Sequence, residues 1–373
     1  MAEPRILILG GYGETGRHLA DLLLARTRSS VVVCGRDGEK ARALAAELNR
    51  RHAGGRTDSV ALDASDDRAL RRALDRVTLL VNATTSAVPI GTITEAAIDL
   101  GADVVDLQFP TRASDLERLA PRIEEAGRCV VTQAGFHPGV PAALVRWASL
   151  RMEVVEFAWA AGLLRPAGGI PYTPAVDDLV ESFRHYTAHE LREGRWQRIR
   201  LTSPRAFRKV WFDFGFGPQR TSPMDLDEMR GLPQLVPGLR RTGFSVAGFD
   251  PVTDWVVTSV IMVALPLFGR RAVTPMGKLL CWSTRTFGRP PLGIVVQLEA
   301  EGWNEGERAR LRLGLFHEDG YDMTAIPTVS MIEQLLDGSA RRPGLHLMGL
   351  LADPERLLAD VGAMGVRVRA LVA

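Results

Sequence analysis

Short apolar runs alternate with stretches of helical period through the first 150 residues. β-Branched runs fall at Arg5–Leu9, Val31–Cys34, Ser59–Leu62, Leu79–Val81, Val104–Leu107 and Cys129–Thr132. Between them, Gly16–Ala25, Glu39–Leu48, Arg68–Leu74, Thr94–Leu100 and Ser114–Ala126 carry apolar residues three and four apart, which predicts helices. This beat predicts right-handed crossovers and a parallel sheet. The strands read as unbroken apolar runs, as strands covered on both faces do.

The rhythm changes after Met152. Trp196–Leu201 and Lys209–Phe214 alternate like half-buried strands, and Ile294–Trp303 and Glu307–Phe316 flank a hairpin signal at Asn304-Glu305-Gly306. Asp353 and Pro354 open a helix running to Gly365, and Val366–Val372 reads as a strand. The expected fold is α/β. A doubly wound Rossmann sheet spans residues 1–150, an antiparallel α+β substrate and dimerisation domain spans 151–345, and a tail of 346–373 can return to the first domain.

At 373 residues the chain suits two domains. Its 46 basic and 44 acidic residues leave a net charge of +2, so overall charge makes no case for nucleic acid or an anionic membrane as the main partner. Lys40, Lys209 and Lys278 are the only lysines, and none lies four residues after a tyrosine, which argues against a short-chain dehydrogenase. Cys34, Cys129 and Cys281 form neither a disulfide framework nor a zinc motif. The chain runs directly into its first strand, and a cytoplasmic protein is expected. The run Trp255–Phe268 falls short of the ~20 residues that span a bilayer, and Thr258 and Ser259 interrupt it. It reads as a buried helix or strand; the alternative, with Arg270-Arg271 behind it, is contact with a membrane surface or an acyl chain.

Gly11-Tyr12-Gly13-Glu14-Thr15-Gly16 is a G-x-G-x-x-G that follows the first strand and opens a helix with Leu19, Leu22 and Leu23 at apolar positions. Gly11 permits the tight turn, Gly13 lets backbone N–H groups approach a pyrophosphate, and Gly16 lets helix and strand pack closely. The helix dipole and free N–H groups around Glu14 and Thr15 complete the expected anion site. At the end of the second strand, where NAD sites carry a carboxylate for the ribose, stands Arg36 in Cys34-Gly35-Arg36-Asp37. A guanidinium suits a 2′-phosphate, and Asp37 reads as the cap of the next helix, so NADP is expected over NAD. Asp63 closes the third strand, either meeting the adenine amino group or capping a helix. Asn82, Ala83 and Thr84 close the fourth strand at the carboxyl edge, where small residues let a nicotinamide pass.

Together these segments resemble the saccharopine dehydrogenase family, in its saccharopine reductase-like branch. The resemblance is carried by Ile6–Gly16, Cys34-Gly35-Arg36, Val81-Asn82-Ala83, Gly101–Asp106 and Gly135-Phe136-His137-Pro138-Gly139, the last similar to a family turn beside the nicotinamide. In the second half, Tyr321–Pro327 and Arg342-Pro343-Gly344 are similar in position and type. The resemblance implies hydride transfer with the cofactor in an interdomain cleft, on a C=N bond of an amine or amino-acid adduct or on a C=C bond of an apolar or lipid chain. A non-catalytic NADP-binding protein is the reading from another class.

Reduction needs a proton donor near the developing charge. His137 is the first candidate, because it follows the sixth strand and titrates near neutrality; a purely structural turn histidine is the alternative. Tyr321, with Thr324, is the second, and Asp322 reads as a helix cap. His185 and His189 stand four apart on an expected helix, but without a third ligand no metal is expected. Arg112, Arg165, Arg184 and Arg241 are candidates for clamping substrate carboxylates. Phe207, Trp211, Phe212, Phe214, Phe216, Phe244 and Phe249 are read as core rather than as a lipid groove. A homodimer is expected.

Overall fold

The computed structural model describes residues 3–372 apart from 86–87, 109–113, 201–202 and 204–205, and for His185 the backbone alone. The chain forms two compact units, residues 1–135 with 324–353, and residues 136–323 with 354–373.

In the first unit, β1 (Arg5–Leu9), β2 (Ser30–Gly35), β3 (Thr57–Ala61), β4 (Leu79–Asn82), β5 (Asp103–Asp106) and β6 (Cys129–Thr132) form a parallel sheet. A late strand, Gly344–Leu347, joins it beside β6. The order is late strand, β6, β5, β4, β1, β2, β3, a doubly wound Rossmann arrangement with its switch point between β1 and β4. The apolar runs of β1, β2 and β4 are buried throughout, as expected of strands covered on both faces. The helix Glu14–Arg26 buries Leu19, Leu23 and Leu24 against the sheet. The helix expected over Ser114–Ala126 is broken into Ser114–Glu117 and Ala120–Glu125. Pro121 explains the break: lacking an N–H, it suits a first turn but not a helix interior.

The second unit is built on a nine-stranded sheet. It comprises β7 (Val154–Arg165), β8 (His189–Arg192), β9 (Arg195–Arg198), β10 (Arg208–Phe212), β11 (Gly217–Met224), β12 (Arg241–Ala247), β13 (Gly293–Asn304), β14 (Glu307–His317) and the final strand Arg367–Val372. Every pair is antiparallel except β7 with β12. The β13–β14 hairpin turns at Glu305 and Gly306, both with positive φ, as the sequence predicts. Of the seven aromatics, Phe212, Phe216 and Phe244 are buried, Phe214 and Phe249 are half-buried against core clusters, Phe207 is half-buried, and Trp211 is exposed.

The units differ from the expected division in three places, the first being residues 324–345, expected in the second domain but part of the first unit together with most of the helix Gly320–Leu336. Residues 136–150, with the helix Val140–Ser149, belong to the second unit. Of the tail, it is Gly344–Leu347 that returns to the Rossmann sheet, while Arg367–Val372 extends the second sheet beside β14. Strand pairing over such separations leaves no local mark in a sequence.

Candidate functional site

The glycine loop of the first unit turns on a residue the motif omits. Gly10 has φ +74°, and a Cβ there would stand 2.6 Å from the Ala83 carbonyl oxygen. Gly11 is needed for closeness rather than for its dihedral, since its Cβ would lie 2.9 Å from the Ile8 oxygen. The Gly11 amide donates to Cys34 O, and that of Gly13 to Gly10 O, both at 2.9 Å. Gly16 packs so tightly that a Cβ would meet Gly10 O at 2.2 Å. Gly13 is exposed, its Cβ position meets only Gly10 O, and no side chain caps the helix that begins at Glu14. Only the Gly10 carbonyl thus stands near the Gly13 Cβ position, and the N–H groups of Glu14, Thr15 and Gly16 at the uncapped helix start are suited to an anion.

Asp37 is a helix cap. Its Oδ1 accepts the amides of Glu39 and Lys40 at 3.1 Å, and Oδ2 lies 3.5 Å from the Lys40 ammonium. The Lys40 amide foremost holds its carboxyl below the usual range. Tyr12 fixes the same corner, its hydroxyl accepting the Asp37 amide at 2.9 Å and its ring lying against Gly35. Arg36 is left exposed at the end of β2. Asp63 accepts the Ser65 hydroxyl at 2.7 Å and the Ser65 amide at 3.0 Å. These bonds, and then the Arg36 charge, lower its pKa. The cap of the next helix is instead Asp66, which accepts the Ala69 amide.

At the carboxyl edge, Asn82 Nδ2 donates to Asp106 Oδ1 at 2.8 Å, and the Thr84 hydroxyl donates to Asn82 Oδ1 at 2.7 Å. Asp106 also accepts the Thr132 hydroxyl and the Gln108 amide, so one fully buried carboxyl ties together the ends of β4, β5 and β6. Ala83 and Thr84 are partly exposed beside it.

The turn 135–139 carries His137 into the second unit, closed by a bridge between Phe136 and Gly139. The imidazole lies 4.0 Å from the Phe136 ring and 5.7 Å from that of Phe244, with Gly162 beneath it. Both ring nitrogens are shut from water and have no hydrogen-bond partner among the described residues. Burial lowers the pKa from 6.5 to about 4. The expected titration near neutrality is therefore corrected: at pH 7 this ring is neutral. Beside the same turn lies a group that sequence reasoning missed. Glu228, fully buried, accepts the amides of Gly139 and Ala142 and caps the helix Val140–Ser149 from another element. Its burial raises the carboxyl to about 8.

Tyr321 is partly buried at the start of the helix Gly320–Leu336. That helix is capped by Asp319, which accepts the amides of Tyr321 and Asp322; Asp322 lies in the first turn and is not the cap. His185 and His189 do not share a helix. The first ends a 3₁₀ turn, and the second opens β8 and pairs with Asp225 at 2.7 Å. Among the described residues no cluster suits a metal. Arg165 donates to the Phe249 carbonyl, while Arg184 and Arg241 pair with Glu181 and Glu190. Arg112 lies outside the described residues.

Residues 6–131 match the model of the saccharopine dehydrogenase NADP binding domain. A comparison with curated protein sequences gives no match. Among solved structures, the apo saccharopine dehydrogenase (L-Glu forming) of Saccharomyces cerevisiae covers 99% of this chain and 100% of its own at 14% identity, with a TM-score of 0.73. That likeness is one of fold. GenD2 from gentamicin A biosynthesis, solved with NAD, covers 100% of this chain and 97% of its own at 13% identity, TM-score 0.47. A myo-inositol dehydrogenase from Corynebacterium glutamicum covers 99% of both chains at 11% identity, TM-score 0.45.

Proposed function

We propose that this chain, an NAD(P)-dependent oxidoreductase whose first unit belongs to the saccharopine dehydrogenase NADP-binding family, uses NADP(H) and acts on the C=N bond of an amine or amino-acid adduct. The observation that carries the cofactor choice is the division of labour at the end of β2. Asp37 is spent on the helix behind it, which leaves the exposed Arg36 guanidinium as the group to meet a 2′-phosphate. In this reading the glycine cradle takes the pyrophosphate, Asp63 meets the adenine amino group, and Asn82, Ala83 and Thr84 let the nicotinamide end pass. A bound dinucleotide supplies or accepts the hydride; the chain orients it and manages the proton.

His137 acts in this reading as a neutral imidazole, donating an N–H to the substrate atom that gains charge, with Tyr321 as the second candidate donor. The C=N assignment draws on the family resemblance of the 135–139 turn and on the fold shared with a saccharopine dehydrogenase named as forming L-Glu.

Titration of the purified chain with NADPH and NADH, read by nicotinamide fluorescence, tests the cofactor. NADPH binding at least tenfold tighter is expected, about 1.4 kcal/mol, and parity would reverse the choice. Oxidation of NADPH by mixtures of amino acids with 2-oxo acids tests the bond. Turnover only with conjugated enoyl substrates would move the reaction to C=C.

A further inference from the structure

The run Trp255–Phe268 is not core, as its composition suggests, but a helix with one face turned out to water. Thr253–Phe287 is long and apolar enough to cross a membrane by length and composition. Its build is different: a π-helical turn at Thr253–Val257 runs straight into the helix Thr258–Phe268, which a 3₁₀ turn at Gly269–Ala272 separates from a second helix, Val273–Phe287. One side of the pair is anchored, with Val257, Ile261, Leu265 and Leu280 packed against Val176 and Val180.

The other side is exposed and apolar. Val256, Val260, Val263 and Leu267 follow one another at spacings of four, three and four, which puts them on one face. Val256 is 57% exposed, Val263 61%, Leu267 70% and the adjoining Phe268 65%. Trp255 and Trp282, the second on the next helix, are also exposed. Large side chains gathered in this way on a folded surface mark a docking face. Its charge identifies the occupant. Between Val252 and Arg289, Arg270, Arg271, Lys278, Arg285 and Arg289 are all exposed, and Asp254 is the one acid. Of the three acids on the adjoining helix Pro174–Ser182, Asp177 is bonded to Tyr172 and Thr274, Glu181 is paired with Arg184 and Arg270, and Asp178 is half-buried.

We infer that this face docks the chain onto the surface of an anionic phospholipid bilayer. Val260, Val263, Leu267 and Phe268 enter the acyl boundary, the two tryptophans sit at headgroup level, and the cations meet lipid phosphates. A second copy of the chain suits the face less well, because a two-fold contact would bring the same cations together. The near-neutral charge of the whole chain does not bear on this, since the attraction is local and falls off within a Debye length of about 8–10 Å. The inference is independent of the cofactor and the bond reduced.

The full chain is sedimented with vesicles of phosphatidylcholine alone and of phosphatidylcholine mixed with phosphatidylglycerol. Binding to the mixed vesicles, weakened by salt and accompanied by a blue shift of tryptophan emission, is the expected result. The double variant Leu267→Asp, Phe268→Asp should weaken partitioning about tenfold or more, and Arg270→Glu with Arg271→Glu should remove the preference for anionic lipid. Val263→Ser, a milder surface change, gives a second reading of the apolar contribution with an unchanged thermal melt as the control of folding. No binding to either vesicle, equal binding by all variants, or an oligomer that the apolar variants dissociate would overturn the inference, the last by placing a second copy on this face.

Discussion

The Gly139 amide donates to the carboxyl of Glu228 across 3.1 Å, two residues beyond His137. A fully buried acid thereby holds the end of the turn that carries a buried neutral imidazole. The two groups have opposite titration behaviour, one raised to about 8 and the other lowered to about 4, and desolvation is the main cause of both.

Glu228→Gln should make the protein less sensitive to alkali. The folded state holds the Glu228 proton more tightly than the unfolded chain, so stability falls as pH rises from about 4.5 through 8. Glutamine keeps an oxygen for the Gly139 amide and carries no charge. Thermal melts should show the variant more stable than the parent at pH 8.5, by on the order of 1–3 kcal/mol, and close to it at pH 5. An identical pH dependence for both proteins would remove the role assigned to this carboxyl.

His137 works in the other direction. Its folded pKa lies below the unfolded value, so stability is lost as pH falls from about 6.5 through 4. His137→Ala should abolish the part of the acid destabilisation that lies in this window. With a C=N substrate it should lower turnover 10²-fold or more while leaving NADPH affinity unchanged. Normal turnover would leave the ring a structural part of its turn.

Arg36→Ala should weaken NADPH about tenfold or more and barely affect NADH, because one charge-assisted contact to the 2′-phosphate is removed. Asp37→Ala should instead cost about 1 kcal/mol of stability through the lost cap, with no change in cofactor preference. Calorimetric titration separates the two, and a reversed pattern would hand the ribose to Asp37.

Gly13→Val and Gly16→Val should fail for different reasons. At Gly13 a side chain enters the space over the helix N-terminus, so binding of both dinucleotides is lost, while the Cβ meets Gly10 O at 3.0 Å and costs the fold less than the change at Gly16. At Gly16 the Cβ would strike Gly10 O, so the fold itself suffers, by several kcal/mol. Circular dichroism and cofactor titration on the two proteins distinguish these outcomes.

Asp106→Ala should destabilise the first unit by on the order of 2–4 kcal/mol. It strips the partner from Asn82 Nδ2, the Thr132 hydroxyl and the Gln108 amide, all in a buried place. Urea unfolding checks this. A loss below 0.5 kcal/mol would mean that water replaces the carboxyl.

The sequence by itself determined whatever depends on neighbours along the chain. The parallel strands followed from unbroken apolar runs. The glycine loop followed from its place between a strand and a helix, and the cap at Asp37 from its position one residue ahead of that helix. The β13–β14 hairpin was legible because its turn residues must adopt positive φ. Tertiary structure decided what depends on partners far off in the chain. Glu228 reaches a helix 89 residues away, and no local pattern marks an acid for that task. His137 looked like a titrating group because its intrinsic pKa is near neutral, and only the aromatic packing of Phe136 and Phe244 reveals its desolvation. Arg341 meets Asp103 across 238 residues, and the Gly344–Leu347 strand beside it returns to the first sheet. The run Trp255–Phe268 had the composition of a core element, yet composition does not say which face meets protein. Burial is a property of the packed chain, and here the packing covers one face of the helix and leaves the other open.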